Sequence, residues 1–275
     1  MRIMSRKFWK HFMSAIAAVS AFATILSVLF PIKISQCIAI GIALVIVVTS
    51  LVYAMVQTSS KTKVTINVQP QLKLTIKQGD LFVCNGVVLI PVNEYFDTHV
   101  GDGVINENSI HGLFINKIFK GREDELDDKI EEALKSYEPL EEKERAWKKR
   151  KYKLGTCAKI EENGNIYILF AFTHFDNNNT ANIERYEYAN VVNDVLKRVA
   201  GICENRPVYM PLFRTGLSRI NLPAQQVLHY LTDTILFTPP LTILGGLNIV
   251  IKSLEDSGVN LNRIEDIFNS NKFLI

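Results

Sequence analysis

The sequence predicts an α/β protein: a hairpin of two transmembrane helices, then a three-layer α/β/α domain with a mixed or mostly parallel central sheet. Three observations carry this expectation. Two apolar runs without a charged residue, 12–32 and 34–56, open the chain. Behind them, strand-like and helix-like stretches alternate over about 205 residues, enough to bury a full core between helices. Glycine-bearing turns follow several of the apolar strands, the place where open α/β sheets hold ligands.

Each apolar run has about the 20 residues that a bilayer core requires of a helix. Between them only Pro31–Ser35 signals a break, with Pro31 ending the first helix and Lys33 marking the water boundary. In lipid every backbone amide must be satisfied within a helix, so two adjacent spans make a hairpin. A signal peptide is the rival reading, since Arg2, Arg6, Lys7 and Lys10 precede the first run. That run is too long for a signal segment, and a second follows at once. Basic residues before the first span, with Lys61 and Lys63 after the second, place both termini and the C-terminal domain in the cytoplasm. Neither span holds an ionisable residue, so a single hairpin is neither pump nor selective channel. Small residues (Ser14, Ala17, Ala18, Ala21, Ala39, Gly41, Ala43) permit close helix approach, or reflect the ordinary use of alanine in such helices.

The 275 residues carry a net charge of +3, and 48% are hydrophobic. So small a charge does not imply a nucleic-acid partner. Cys37, Cys84, Cys157 and Cys203 lie far apart with no paired spacing. That speaks against a disulfide scaffold or zinc site and for reduced thiols.

Residues 57–70 read as a linker or a first edge strand around Lys63 to Val68, and the domain proper as 71–275. Leu72 to Gln78 alternates like a strand, and Gly86 to Val92 is a continuous apolar run suited to a fully buried one. Asn108 or Ser109 caps a helix with Ile110, Leu113, Phe114 and Ile118 on one face. The segment Arg122 to Lys151, acidic at its start and basic at its end, reads as a solvated helix pair, with Ile130, Ala133, Leu134 and Tyr137 as its packing face. Its two ends also suit head-to-tail mating between neighbours. Two strands around Asn163–Gly164–Asn165 form a hairpin. A helix from Glu184 to Val199 follows, then a short strand from Pro207, a helix from Leu222 to Phe237 and a last strand, "LNIVIKS".

Three glycine turns suggest a nucleotide diphosphate: the one with Asp80, the one with Asn93, Gly101, Asp102 and Gly103, and the one with Arg214 to Ser218. Glycines let backbone amides approach phosphate, and a following helix N-terminus favours the negative charge. His99, His111 and His174 are not spaced as metal ligands and are expected to face solvent or bond locally. Tyr95 and Phe96 stack on a nucleoside ring or simply pack. No nucleophile–base pair stands out, and no catalytic residue is assigned.

The order "IKQGDLF", "LIPVNEYFD", "GDGVI", "LGTCAKI", "MPLFRTGLSRI" resembles the macro domain, the ADP-ribose-binding module, over roughly Leu72 to Ser253. The resemblance implies adenine recognition by Asp80 beside Leu81, and Asn93 by the distal ribose, with Glu94 and Asp97 close to it. It further implies one phosphate loop of Gly101, Asp102, Gly103, Val104 and Ile105, and a second of Leu212, Arg214, Thr215, Gly216 and Leu217. The family's asparagine–alanine–alanine–asparagine stretch reads Asn93-Glu94-Tyr95-Phe96 here, and Asp102 stands in the middle of the glycine triplet. These departures weigh against removal of ADP-ribose from proteins and favour a ligand with something extra, such as a cationic group, at its distal end.

Two spans joined to such a domain resemble the membrane effectors of type II Thoeris antiphage defence. That resemblance implies an inner-membrane protein with no cofactor of its own. Its ligand would be histidine-linked ADP-ribose, made from NAD by a partner TIR protein. On binding, the effectors would assemble as homo-oligomers and the infected cell would die. The ligand's cationic end would give Glu94, Asp97 or Asp102 a reason to be acidic. The alternatives are a membrane-tethered ADP-ribosyl hydrolase or reader, and a membrane scaffold whose domain binds no nucleotide.

Overall fold

The computed structural model describes residues 6–29, 35–57, 59–142, 144–176, 180–213 and 222–271. The chain divides into two compact units, Met1–Lys61 and Thr62–Ile275.

The first unit holds α1 (Arg6–Leu29) and α2 (Gln36–Gln57). With 24 and 22 residues, they reach about 36 and 33 Å, long enough and apolar enough to cross a membrane. α1 begins six residues before the apolar run because Phe8 and Phe12, one turn apart, pack against Ala54 of α2. Most other apolar side chains of the pair are exposed, Phe22 at 63% and Val28 at 77% among them. The break expected at Pro31 and Lys33 lies outside the described residues.

The second unit begins with β1 (Lys63–Gln69), β2 (Leu72–Gln78), β3 (Val87–Asn93), α3 (Ile110–Ile118) and α4 (Glu123–Leu134). There follow β4 (Glu141–Glu142), β5 (Arg150–Lys151), β6 (Cys157–Glu162), β7 (Asn165–Phe175), β8 (Ala181–Asn182) and α5 (Arg185–Ile202). Last come β9 (Val208–Pro211), α6 (Ala224–Phe237), β10 (Leu247–Ile251), α7 (Leu254–Ser257) and α8 (Leu261–Asn271). Of the two readings of residues 57–70, the edge strand describes 63–69.

The main sheet runs β1-β2-β10-β9-β3-β7-β6, with β8 paired to β7. β2, β10, β9, β3 and β7 are parallel, while β1 and β6 run antiparallel at the two edges. Successive side chains point to opposite faces. Val87 and Leu89 of β3 therefore join α5, α6 and α8 in one core, and Val88, Ile90 and Val92 join α3 and α4 in the other. β7 divides in the same way, Ile168 and Phe170 against Tyr167 and Leu169. The β6–β7 hairpin turns through Asn163 (φ 50°) and Gly164 (φ 75°), the positive φ pair that tight hairpins favour.

Two expectations are corrected. The charged segment is one helix, α4, followed by the β4–β5 ribbon, rather than a helix pair. Its basic half pairs within its own domain: Arg145 with Asp97, Lys148 with Asp127, Lys151 with Glu94 and Glu141. On α3 Ile110, Phe114 and Ile118 pack into one core as expected, but Leu113 lies outside it and His111 and Ile115 are buried beside them. Gly112 lets the helix seat closely on the preceding loop: a Cβ there would run into the Asn106 carbonyl oxygen and lie 2.9 Å from Glu107 Cα. His111 is 7% exposed and bonds the Asp97 backbone, the local bonding that was the second of its two readings.

Candidate functional site

The parallel strands β3, β7 and β9 end on one edge of the sheet, and a cleft of about 970 Å³ opens there. Asn93 closes β3, Thr173 and Phe175 come from β7, and Leu212 and Phe213 follow β9. The fourth wall is the loop from Val100 to His111, including the first turn of α3. Ser109 caps that helix, its Oγ accepting from Gly112 N at 3.0 Å.

The loop is built for backbone exposure. Gly101, Asp102 and Gly103 have φ of 108°, 47° and 76°. Val104 N donates to Gly101 O at 2.9 Å, and Gly101 N donates to Ile105 O at 2.9 Å. Two central residues at positive φ under an i to i+3 bond make a primed turn. Among the described residues the amides of Asp102 and Gly103 donate to nothing. Around Gly101 and Gly103 the side where a Cβ would stand is open, with no atom within 4 Å. Free amides, open space and the N-terminus of α3 together suit an anion.

Of the residues singled out from sequence, Asn93, Gly101, Gly103, Val104, Ile105 and Leu212 line this cleft together. Arg214, Thr215, Gly216 and Leu217 lie outside the described residues. Asp80 and Leu81 are placed apart from its lining. Asp80 caps a short 3-10 turn: its Oδ1 accepts from Phe82 N at 2.9 Å, and its Oδ2 lies 2.8 Å from Lys117 Nζ. The bonds from Lys117 and Phe82 hold its carboxyl below the usual range. Leu81 is buried in the core beneath α3.

Asn93, Glu94 and Asp97 form a buried polar turn. Asn93 Oδ1 accepts from Tyr95 N at 2.9 Å, and its Nδ2 donates to Asp97 Oδ2 at 3.1 Å. Arg145 Nη1 donates to both Asp97 oxygens, at 3.0 and 2.9 Å, and its guanidinium lies 4.1 Å from the Tyr95 ring centroid. Burial pushes the Asp97 carboxyl up, against the pull of Arg145. Glu94 is fully buried; its Oε1 accepts from Phe175 N at 3.0 Å, and its Oε2 lies 2.6 Å from His174 Nδ1. His174 Nε2 meets Glu187 Oε1 at 3.0 Å. Burial opposes its charge, but the two carboxylates prevail and its pKa is raised. Glu94 thereby ties β3 to the β7 wall of the cleft. Tyr95 and Phe96 pack: Phe96 meets Tyr152 edge-on at 5.7 Å, and neither ring is more than 3% exposed.

Sequence reasoning missed two contributors. His111 lines the cleft, and burial holds its pKa at about 3, so it is neutral there across the physiological range. The segment joining β4 and β5 holds the residues just before the loop, through Arg145 on Asp97 and through Trp147, whose indole lies flat on His99 at 3.8 Å. Only the aromatic inside the basic run hinted at this. Among the described residues no cluster of three His, Cys, Asp or Glu is placed to hold a metal ion.

The family model for the macro domain of Thoeris protein ThsA matches residues 74–252. Thoeris protein ThsA of Bacillus amyloliquefaciens (strain Y2) is 29% identical over 187 residues, covering 66% of this chain and 60% of that protein. The chain therefore spans less than two thirds of its relative's length. Among solved structures, a mutant form of the Oceanobacillus iheyensis macrodomain with ADPR aligns at a TM-score of 0.52 and 12% identity, over 75% of this chain and 99% of that one. The same macrodomain with ADP aligns at 0.52 and 10% identity, over 76% and 97%. At such identities the likeness shows the fold alone.

Proposed function

This chain belongs to the Thoeris ThsA macro-domain family, and we propose that it is a membrane-anchored receptor–effector of antiphage defence that binds an ADP-ribose-derived signal in the cleft at the ends of β3, β7 and β9. The observation that carries the reading is the Gly101–Val104 turn, with unengaged amides at Asp102 and Gly103 beside the capped start of α3. A diphosphate fits that donor set. The adjoining space, about 970 Å³, is large enough for a dinucleotide-sized ligand. Asn93, Val104, Ile105 and Leu212 would contact the ligand, with Arg214 to Leu217 as the second phosphate loop. Asp80 would reach adenine once Lys117 yields.

The signal in this reading is a histidine-linked ADP-ribose made by a TIR protein. α1 and α2 anchor the chain in the inner membrane, with both termini and the macro domain cytoplasmic. One hairpin whose two apolar spans carry no charge cannot breach a bilayer, so action comes from number: ligand-bound copies associate, and the infected cell dies. Such a switch requires the ligand to bind the assembled state more tightly than the single one. A binding module rather than a hydrolase is favoured because the second asparagine of the family's stretch is replaced by Phe96, whose ring is buried against Tyr152.

Titration of the full chain in detergent with ADP-ribose and with its histidine conjugate tests the reading by calorimetry. Saturable heat from either supports it, and silence from both overturns it. Sustained cleavage of an ADP-ribosylated substrate, lost in Asn93→Ala, would make the protein a hydrolase instead. Light scattering with and without ligand tests assembly: a mass unchanged at saturation removes that part.

A further inference from the structure

Asp102 brings a carboxylate into the middle of a turn that otherwise suits an anion. Its neighbours Gly101 and Gly103 both line the cleft, and Asp102 does not. The side chain is 76% exposed, with Oδ2 at 2.9 Å from His99 Nε2. The His99 ring is stacked on Trp147, centroids 3.8 Å apart and planes 12° from parallel. Trp147 is itself half-buried in the ribbon segment between α4 and β6. That segment is anchored on three carboxylates, by Arg145 to Asp97, Lys148 to Asp127 and Lys151 to Glu94. A chain of contacts thus runs from these ion pairs through an indole and an imidazole to one carboxylate of the turn.

We propose that Trp147 and His99 are positioning residues for the binding site, drawing the Asp102 carboxylate off the anion position beside Gly101 and Gly103. This rests on the reading of the cleft as a site for an ADP-ribose derivative. Released from His99, the carboxylate pivots on a left-handed residue one bond from the exposed amides, within reach of an incoming phosphate. Like charges a few ångströms apart near a protein surface repel by enough to weaken binding about fivefold to tenfold, and salt screens that repulsion. A merely structural role for Trp147 would show neither a salt dependence of that kind nor a cure at Asp102.

The test is calorimetry of the full chain in detergent with ADP-ribose, at low salt and at about 0.5 M salt. Trp147→Ala and His99→Ala are expected to bind about fivefold to tenfold more weakly than wild type at low salt, with the gap shrinking at high salt. Trp147→Phe, which keeps an aromatic face under His99, stays close to wild type. Asp102→Asn added to Trp147→Ala restores affinity to within about twofold, since asparagine tolerates positive φ and carries no charge. Should Trp147→Ala fail to fold, His99→Ala carries the test alone, because its side chain is 37% exposed and outside the core. Wild-type affinity in both alanine variants overturns the proposal, as does a loss that neither salt nor Asp102→Asn relieves. Silence of the wild type toward both ADP-ribose and its histidine conjugate overturns the functional reading and this inference together. Binding by the wild type with unaffected variants overturns this inference only.

Discussion

Arg145→Met removes the cation from a carboxylate that has nowhere to go. Asp97 is fully buried, and its side chain and that of Arg145 are 1% and 13% exposed. The two bonds from Arg145, at 2.9 and 3.0 Å, are joined by one from Asn93 at 3.1 Å. Breaking a buried pair by removing one partner costs about 3–5 kcal/mol, because the remaining charge is left uncompensated. In a domain of this size that is a fall of about 6–20 °C in Tm. The charge has one escape, protonation. Burial already raises the Asp97 pKa above its ordinary 3.8, and without Arg145 it rises further. The folded carboxyl then holds a proton at pH values where the unfolded one has lost it. Stability therefore falls as pH rises from 3.8 toward the raised folded value, and the full deficit appears only above that value. The variant should lose more against wild type at pH 7.5 than at pH 5. Asp97→Asn on top of it should recover most of the loss, since no charge is left to strand. Thermal melts of Thr62–Ile275 at both pH values decide it. A variant melting within about 1 °C of wild type at pH 7.5 would refute the reasoning, and so would a double variant worse than the single one.

Other outcomes follow from the same geometry. Gly103→Glu puts a large anion at φ 76° on the open side of the turn, and should abolish ADP-ribose binding in calorimetry while circular dichroism stays native; full binding would move the site elsewhere. Gly112→Ala, which in an ordinary helix stabilises by about 1 kcal/mol, should destabilise here because its Cβ meets the Asn106–Glu107 backbone; a raised Tm would contradict the packing described for α3. The raised pKa of His174 means that its charged bonds to Glu187 and Glu94 stabilise fully below the unfolded value of 6.5 and fade as pH climbs through the folded one. The Tm advantage of wild type over His174→Gln should accordingly be larger at pH 6 than at pH 9, and an advantage independent of pH would show that charge is not involved.

Much of the fold was legible because the sheet imposes a simple pattern. Leu72, Leu74 and Ile76 are buried on alternate positions of β2, and Val87 to Ile90 of β3 are buried on both faces, as an interior parallel strand requires. The hairpin at Asn163–Gly164 announced itself through residues that accept positive φ. The charged segment was misread for a physical reason. Glutamate, lysine and arginine are good helix formers, and nothing local shows that Arg145 answers a carboxylate 48 residues earlier. Pairing across that distance exists only once β3 and the ribbon are side by side. The burial of His111 and Ile115 on α3 was equally hidden, because the close seating of Gly112 on Asn106 shows only in the fold. At the site, the turn glycines were readable from their spacing. The acidic residues around them were not: sequence offered Glu94 and Asp97 to a cationic ligand, whereas in the fold His174, Lys151 and Arg145 already face them.

Hydrogen exchange of the full chain in detergent, with and without saturating ADP-ribose, bears most directly on the central claim that this cleft receives the nucleotide. Amides bound by a ligand exchange more slowly, and those of Asp102 and Gly103 in the glycine turn have no partner of their own among the described residues. The expected result is protection concentrated in peptides covering 100–111, with a smaller effect at 172–175 and 211–213. Unchanged exchange in 100–111, or protection confined to the far end of the sheet around 161–166, would contradict it.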